Sequence, residues 1–588
     1  MTMKNLTLTK NLTLMKNLLF VSSLLLSWSC FTQELLPDNI RNNEPVKYDK
    51  SERLTSLYSA SRGINAHHQE SISHKSTQDV GSSSEQKDIL QQDPVEQTFH
   101  GSKNSPILIT SFDGLGEGFV GPQGTATLRN PSDNSLAVGP NHIVQTVNAR
   151  MAIFTKEGDQ FNTTGEVLYG PVNTNNVFRG FGGPCERINN GDAVVRYDQL
   201  ADRWLIVMPT FRRLPSRKDS IVARQDQPGE AERLYEPSQN YAEEREASSE
   251  EDGKFCMCYA ISTGPDPFGP YYRYEFKRDL FPDYPRPAVW TDGYYTSTST
   301  GDHINERHAY VVDRAKMLKG EKATEQFFIL KGVNFVINAD LDGKQIPPTG
   351  SPNIMMGTGG NQLKGILNDD GIYVWKYHVD WKDPSKTKLE GPEKIPVEPY
   401  SYLCGGQLTK CVPQPRTDVR LDSQGDKIMS RLVYRRIGQR ESIVGVHSVN
   451  TSSGSGGVRW YEFRLDNERD VKLYQQGTFV PDEEYRWMAS PAIDSQGNIG
   501  IGYSYGSASE FPGQRFAGRL SGDKLGVLTM KETVLVNGEA AQTNTLRWED
   551  YTQTAMDPTD DMTIWYVGDY LKKNAENYST RIGAFQLK

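Results

Sequence analysis

The sequence predicts an all-β chain whose body, from about residue 105 to residue 588, is a single β-propeller, seven-bladed by count of its repeats. Three observations carry this expectation. A strand-turn-strand pattern recurs about seven times along the body. The composition pairs 28 Tyr, 22 Phe and 9 Trp with 52 Gly and 32 Pro, which suits many short strands joined by tight turns. No Pro/Ser-rich linker divides the repeats into separate β-sandwiches; only one acidic insertion interrupts them.

Taken in chain order, residues 1–32 read as a signal segment. Lys4, Lys10 and Lys16 precede an apolar run from Leu18 to Leu26, followed by small residues at Ser27 and Ser29. That run is shorter than the roughly 20 residues a membrane span needs, so no transmembrane segment is expected. Export is, to the outside or to the cell surface. Cys30 stands where a lipoprotein carries its lipidated cysteine, although Ser27 replaces the usual aliphatic residue three positions earlier. Lipid anchoring at Cys30 is therefore an option beside cleavage.

Residues 33–104 are rich in Ser, Gln, Asn, Asp and Glu, and such a composition buries too little apolar surface to offset ordering entropy. They are expected to be a disordered linker. Residues 214–254 have the same character and are expected to be a mobile acidic insertion within the propeller, which spans 105–588.

The repeats place an apolar pair before an Asp/Gly/Pro turn and alternating apolar residues after it. They are LAVGPNHIVQTV from Leu136, VRYDQLADRWLIVM from Val195, AVWTDGYYTSTS from Ala288, GILNDDGIYVWKYH from Gly365, VRLDSQGDKIMSRLVY from Val419, PAIDSQGNIGIGYS from Pro491 and TAMDPTDDMTIWYV from Thr554. Turn residues supply the positive φ that hairpins need, and the alternation gives each strand two different faces. Copies begin about 50–90 residues apart, the order expected of four-stranded blades with insertions. Closing the blades into a ring leaves only short protected edges.

Cysteine usage fits an oxidising compartment. Cys404 and Cys411 flank a short Gly-containing loop and form the first expected disulfide. Cys256 and Cys258 lie on one side of a strand, so either could reach Cys185; Cys185–Cys258 is the pairing adopted. FCMC offers only CxC spacing, so no zinc site is read from it.

GPNHIVQ (139–145), YDQLADRW (197–204), FPDYP (281–285), DRAKML (313–318), HVDW (378–381), CVPQP (411–415), VRWYE (458–462), RWMASPAID (486–494) and DYTQTAMDP (550–558) give the chain a family likeness. Over roughly residues 130–587 it resembles a family of secreted bacterial propeller proteins of uncharacterised activity. The resemblance implies export and the propeller fold and brings no catalytic residues. The chain departs from that family in the 214–254 insertion and in Glu549 of RWEDY, where the family tends to have Gly.

Propellers bind ligands where loops of several blades converge. Four clusters join an acid to Arg near such loops: FPDYPR from Phe281, RESIVGVH from Arg440, DEEYRW from Asp482 and RWEDY from Arg547. Aromatic faces stack on pyranose rings, while Arg and carboxylate bind hydroxyl, sulfate or uronate groups. The candidate binding residues are Arg286, Trp487, Arg547, Trp548 and Tyr551.

Hydrolysis of a glycosidic bond would need two carboxylates about 5–9 Å apart. Asp283, Glu484 and Asp550 are the choices. Elimination would instead use His447 as base with Tyr284 and Arg486. Packing between blades is the competing reading of each cluster, and for His142 a structural place at its turn is favoured.

No GxSxG, HExxH or Walker motif occurs, and no cofactor or metal is implied; ADLDGK at Ala339 reads as a hairpin turn rather than a calcium loop. With 65 basic against 74 acidic residues, the net charge of −9 favours neither nucleic acid nor anionic lipid. The expected partner is an extracellular polysaccharide, bound and, if the protein is an enzyme, cleaved by lyase or glycoside hydrolase chemistry. The alternative is a non-catalytic scaffold or protein-binding propeller.

Overall fold

A computed structural model describes residues 39–59, 93–211, 255–299, 306–360, 367, 369–406 and 409–588. The signal segment, Cys30 and the 214–254 insertion lie outside the described residues.

The chain is all-β and propeller-like. Alternating apolar residues and turn signals build four-stranded antiparallel units one after another. The first comprises Ser135–Val138, His142–Val147, Arg150–Thr155 and Val167–Asn173. The first strands of the next five units are Val194–Asp198, Asp283–Val289, Ile337–Asp342, Leu432–Ile437 and Tyr485–Ile493. The last unit takes Gln553–Met556, Ile564–Tyr570 and Ser579–Gln586, and its fourth strand, Ile107–Asp113, comes from the other end of the body. Seven units result.

Each first strand lies against the first strand of the following unit, and Gln553–Met556 lies against Ser135–Val138, so the cycle closes. The fourth and fifth units are further joined by parallel pairing of Ala339–Asp342 with Leu432–Arg435. Trp204, Trp290, Trp375, Trp460, Trp487 and Trp548 are all fully buried. Each large aromatic withdrawn from water contributes on the order of 2–3 kcal/mol, which makes these rings the main packing units of the core.

Five of the seven sequence repeats fall on the hairpin between first and second strands. The copies from Gly365 and Val419 do not. The former ends in Gly371–His378, the third strand of its unit, and the latter runs into the start of its unit's first strand, Leu432–Ile437. The fourth unit's own hairpin leaves its first strand at ADLDGK, confirming a turn there. Any strand-turn-strand carries the same local chemistry, so the pattern marks hairpins without saying which strands they join.

Residues 39–59 and 93–104 correct the expectation of a disordered linker over 33–104. Arg41–Asn43 pairs with Glu325–Phe327 of the third unit, and Lys47–Lys50 with Tyr272–Glu275 of the second. Glu96–Gln97 adds to Thr478–Phe479 of the fifth, and Lys103 bridges Met530 beside the sixth. Outer strands present unpaired N–H and C=O groups, and a polar segment satisfies them through its main chain whatever its side chains. Composition does not register that driving force.

Both expected disulfides are present. Cys185–Cys258 has an S–S distance of 2.00 Å, and Cys404 pairs with Cys411. Cys256 is buried and free, and burial pushes its thiol up to about 12. Among the described residues no helix is long and apolar enough to cross a membrane.

Candidate functional site

The adjacent first strands Ile337–Asp342 and Leu432–Ile437 run parallel, and in a propeller the segments leading into first strands gather at one end of the ring, its mouth. Deeper in the channel the inner strands are cross-linked by charge. Asp340 accepts from Arg196 at 3.2 Å and from Arg431 at 2.6 Å, and Arg431 also pairs with Asp342 at 2.6 Å. The cavity beside them measures about 20 Å³, room for roughly one water and too little for a sugar ring.

The mouth is where backbone strain concentrates. Of thirteen described non-glycine residues with positive φ, four lie in the segments leading into first strands, Asp133 (49°), Gln424 (48°), Glu549 (55°) and Asp550 (61°), and two lie in the opening residues of first strands, Tyr284 (52°) and Met488 (50°). Each such residue costs of the order of 1–3 kcal/mol, a cost that clusters where geometry serves a site.

Two of the four predicted clusters meet there. Tyr284 donates its hydroxyl to the backbone oxygen of Asp550 at 3.0 Å, and its ring meets Tyr551 edge-on, centroids 5.5 Å apart. The Arg286 guanidinium lies 3.3 Å from the Tyr284 centroid and 3.9 Å from that of Tyr551. Its Nη1 donates to the Pro285 oxygen at 2.9 Å, while Nε and Nη2 have no hydrogen-bond partner among the described residues. Tyr551 is fully buried and its hydroxyl is likewise without a hydrogen bond. Asp550 is ion-paired with half-buried Arg547 and accepts from Gln424 Nε2 at 3.3 Å.

The remaining candidates sit elsewhere or face inward. Trp487 and Trp548 are fully buried with ring centroids 6.4 Å apart, and Trp548 Nε1 donates to Ser504 Oγ at 3.0 Å, so neither ring opens a face to a sugar. Arg486 is saturated by Asp482 and Glu532, each held by two hydrogen bonds. His447 is fully buried, stacked on Tyr461 with Nε2 2.9 Å from its hydroxyl. Burial, then the Arg459 charge, holds its imidazole well below the ordinary range, hence neutral. His447 and Arg486 share no neighbour with Tyr284 in these contacts. Asp283 and Glu484 are half-buried near the starts of the third and sixth units. His142 is buried between Phe161 and Phe268, a packing role.

The sequence reading missed two acids at the mouth. Asp133, of the first unit, is buried and Asp192, of the second, half-buried, and the two carboxyl groups lie near enough to perturb one another. Burial first, then charge repulsion, raises both above the usual carboxylate range: Asp133 feels Asp192 and Asp550, and Asp192 feels Asp550. Asp422 of the fifth unit is pushed up to about 6 by burial and by Asp550. The available signal was positional: Asp133 and Asp192 each lie two residues before a first strand, as Asp550 lies three before Gln553–Met556.

No family model and no curated protein matches the chain. It is similar, among solved structures, to a protein of unknown function from Dyadobacter fermentans DSM 18053, with TM-score 0.33 and 8% identity over 82% of this chain and 100% of that one. It is also similar to an ulvan lyase from a new family of polysaccharide lyases, with TM-score 0.35 and 9% identity over 84% of this chain and 95% of that one. A third likeness is to the WD40 domain of SCAP from fission yeast, with TM-score 0.29 and 8% identity over 76% and 84% of the respective chains. Likenesses this distant carry no argument about what the protein does.

Proposed function

We propose that the chain is an exported or cell-surface, seven-bladed propeller that binds an extracellular polysaccharide at the channel mouth. One observation carries the reading: FPDYPR and RWEDY, 266 residues apart along the chain, are brought together on a strained backbone around Arg286, which keeps two N–H groups unbonded. Unbonded donors at Arg286 and Tyr551 stand near the carboxyl groups of Asp133 and Asp192, whose charges act on Tyr551. A hydroxyl-rich ligand, whose groups both give and accept hydrogen bonds, suits such a mixture. The two disulfides support export. The Asp133–Asp192 pair, with Asp550 nearby, offers a proton-holding acid beside an ion-paired carboxylate if cleavage accompanies binding.

The test incubates the purified protein with a panel of neutral and acidic polysaccharides. Affinity electrophoresis reads retention, a reducing-end assay reads cleavage, and absorbance reads unsaturated uronates. Retention that is lost in Arg286→Ala supports the site. Reducing ends without the chromophore indicate hydrolysis, and both together elimination. Absence of retention across the panel favours the scaffold reading, which the packed positions of His447 and Arg486 support.

A further inference from the structure

We infer that the third unit carries an oxyanion subsite at the mouth, formed by Arg286, Ser299 and Arg307, which takes the carboxylate of a uronate or a sulfate ester. The inference rests on the polysaccharide reading above and narrows it to acidic polymers.

Arg307 is fully buried, and its Nε and Nη2 have no hydrogen-bond partner among the described residues. Its Nη1 reaches only the Glu306 backbone oxygen, at 3.4 Å, and its Cζ stands 4.1 Å from the Phe335 centroid. Arg286 is 3% exposed and has the same two nitrogens open. Ser299, 2% exposed, has a hydroxyl with no hydrogen-bond partner among the described residues. Strand register relates the three: Asp283 pairs with Ser299 and Arg286 with Ser297, while Thr298 opposite His308 brings Ser299 alongside Arg307.

Tyr284 and Phe335 meet edge-on with centroids 5.2 Å apart, and the cations flank them, Arg286 on Tyr284 and Arg307 on Phe335. Lys427, also fully buried, adds a third positive charge 4.2 Å from the Phe335 centroid.

The four open guanidinium nitrogens can only donate, so what fills the site must accept. A water could satisfy one or two of them but would leave two buried cations without a bonded counter-charge, an arrangement proteins rarely keep. The nearby carboxylates do not supply it: Asp192 acts on Arg286 through space, and the four open nitrogens have no carboxylate hydrogen bonded to them among the described residues. Asp426 is taken by Lys427 at 2.8 Å and by Asn334 Nδ2 at 2.9 Å, and with Asp283 it acts on Arg307 only through space. Burial accordingly holds the Arg307 guanidinium well below its ordinary value. A carboxylate or sulfate ester presents the paired oxygens that a guanidinium fork grips. The net charge of −9 means that affinity for a polyanion must come from a local site and not from the whole surface.

The test measures binding of full-length protein to dextran, polygalacturonate and dextran sulfate, with thermal melts in sodium sulfate and sodium galacturonate against sodium chloride of equal ionic strength. At least tenfold tighter binding of an acidic polymer than of dextran is expected, lost in Arg307→Met and reduced in Arg286→Lys and Ser299→Ala. Preference for polygalacturonate identifies the carboxylate as the anion, and preference for dextran sulfate the sulfate ester. If Arg307→Met fails to fold, the other two variants read the same loss.

Equal or better binding of dextran would overturn the subsite and leave the polysaccharide reading standing. Binding of no polymer would remove that reading. In that case a melting temperature raised by sulfate or galacturonate in the wild type but not in Arg286→Lys would still support an anion subsite, and no rise would sink it.

Discussion

The Tyr284 hydroxyl donates to the backbone oxygen of Asp550 across 266 residues of sequence, tying the third unit to the seventh at the mouth of the channel. Both residues hold left-handed backbone, and the bond is buried. Tyr284→Phe should therefore cost about 0.5–1.5 kcal/mol, the net value of one such bond, plus something for the carbonyl left without it. Urea unfolding measures that loss. A binding defect well beyond this small destabilisation is expected too, because the Tyr284 ring also seats Arg286; unchanged polymer retention would count against the mouth as the binding site.

The contrast between Tyr284 and Asp133 illustrates what the sequence makes legible. The all-β pattern and the closing of hairpins by Asp/Gly turns are local, and local chemistry reads directly. FPDYPR and RWEDY stand out because aromatic, Arg and acid are adjacent in sequence. Asp133 and Asp192 form a pair only when two units are set side by side, and neither flanking segment is aromatic or basic enough to draw notice. Trp487, Trp548 and Arg486 misled in the opposite sense: a tryptophan or a charge cluster has the same composition facing solvent or facing core, and only the fold decides. The strap at 39–59 was hidden because backbone pairing leaves no trace in side-chain periodicity.

The two disulfides should differ in worth. Cys185–Cys258 closes a separation of 73 residues and Cys404–Cys411 one of 7, so the chain-entropy argument gives about 4 and about 2 kcal/mol respectively. Paired Cys→Ala variants compared by denaturant midpoint should keep that order. The reverse order would mean that the Cys404 loop, which reaches the fifth unit through the Tyr402–Val449 bridge, depends on its covalent closure for more than entropy.

Glu549 gives the mouth an unusual pH response. It is buried on left-handed backbone, accepts from Gln514 Nε2 at 2.9 Å and from Ser504 Oγ and the Asp569 amide, and is raised well above its ordinary value by burial and by Asp569. Asp569 is itself pushed up to about 7 by burial. A carboxyl whose folded value is raised contributes stability that is full below its unfolded value near ~4 and is lost as pH rises through about 7. The chain should therefore melt lower at pH 8 than at pH 5.5, and Asp569→Asn, which keeps an acceptor for Asn134 while abolishing the charge, should shrink that difference. A melting temperature that is flat over this range in the wild type would contradict the assignment.

His447 separates packing from catalysis. As a catalytic base it would be required for any cleavage; as a neutral ring stacked on Tyr461 and beside Tyr400 it should be replaceable by another flat ring. His447→Phe is expected to retain polymer binding within about twofold, and any cleavage with it, at a cost of about 1–3 kcal/mol, since the substitution strands the Tyr461 hydroxyl. The sign with pH is set by its depressed folded value: stability from a histidine kept neutral is present above the unfolded value near ~6.5 and is lost as pH falls below it, because the unfolded chain takes up a proton that the folded core refuses. The phenylalanine variant should thus lose less stability than the wild type between pH 7 and pH 5. Cleavage abolished in His447→Phe while the fold and binding persist would return His447 to the chemistry, and would require the core around Tyr400 and Tyr461 to open to substrate.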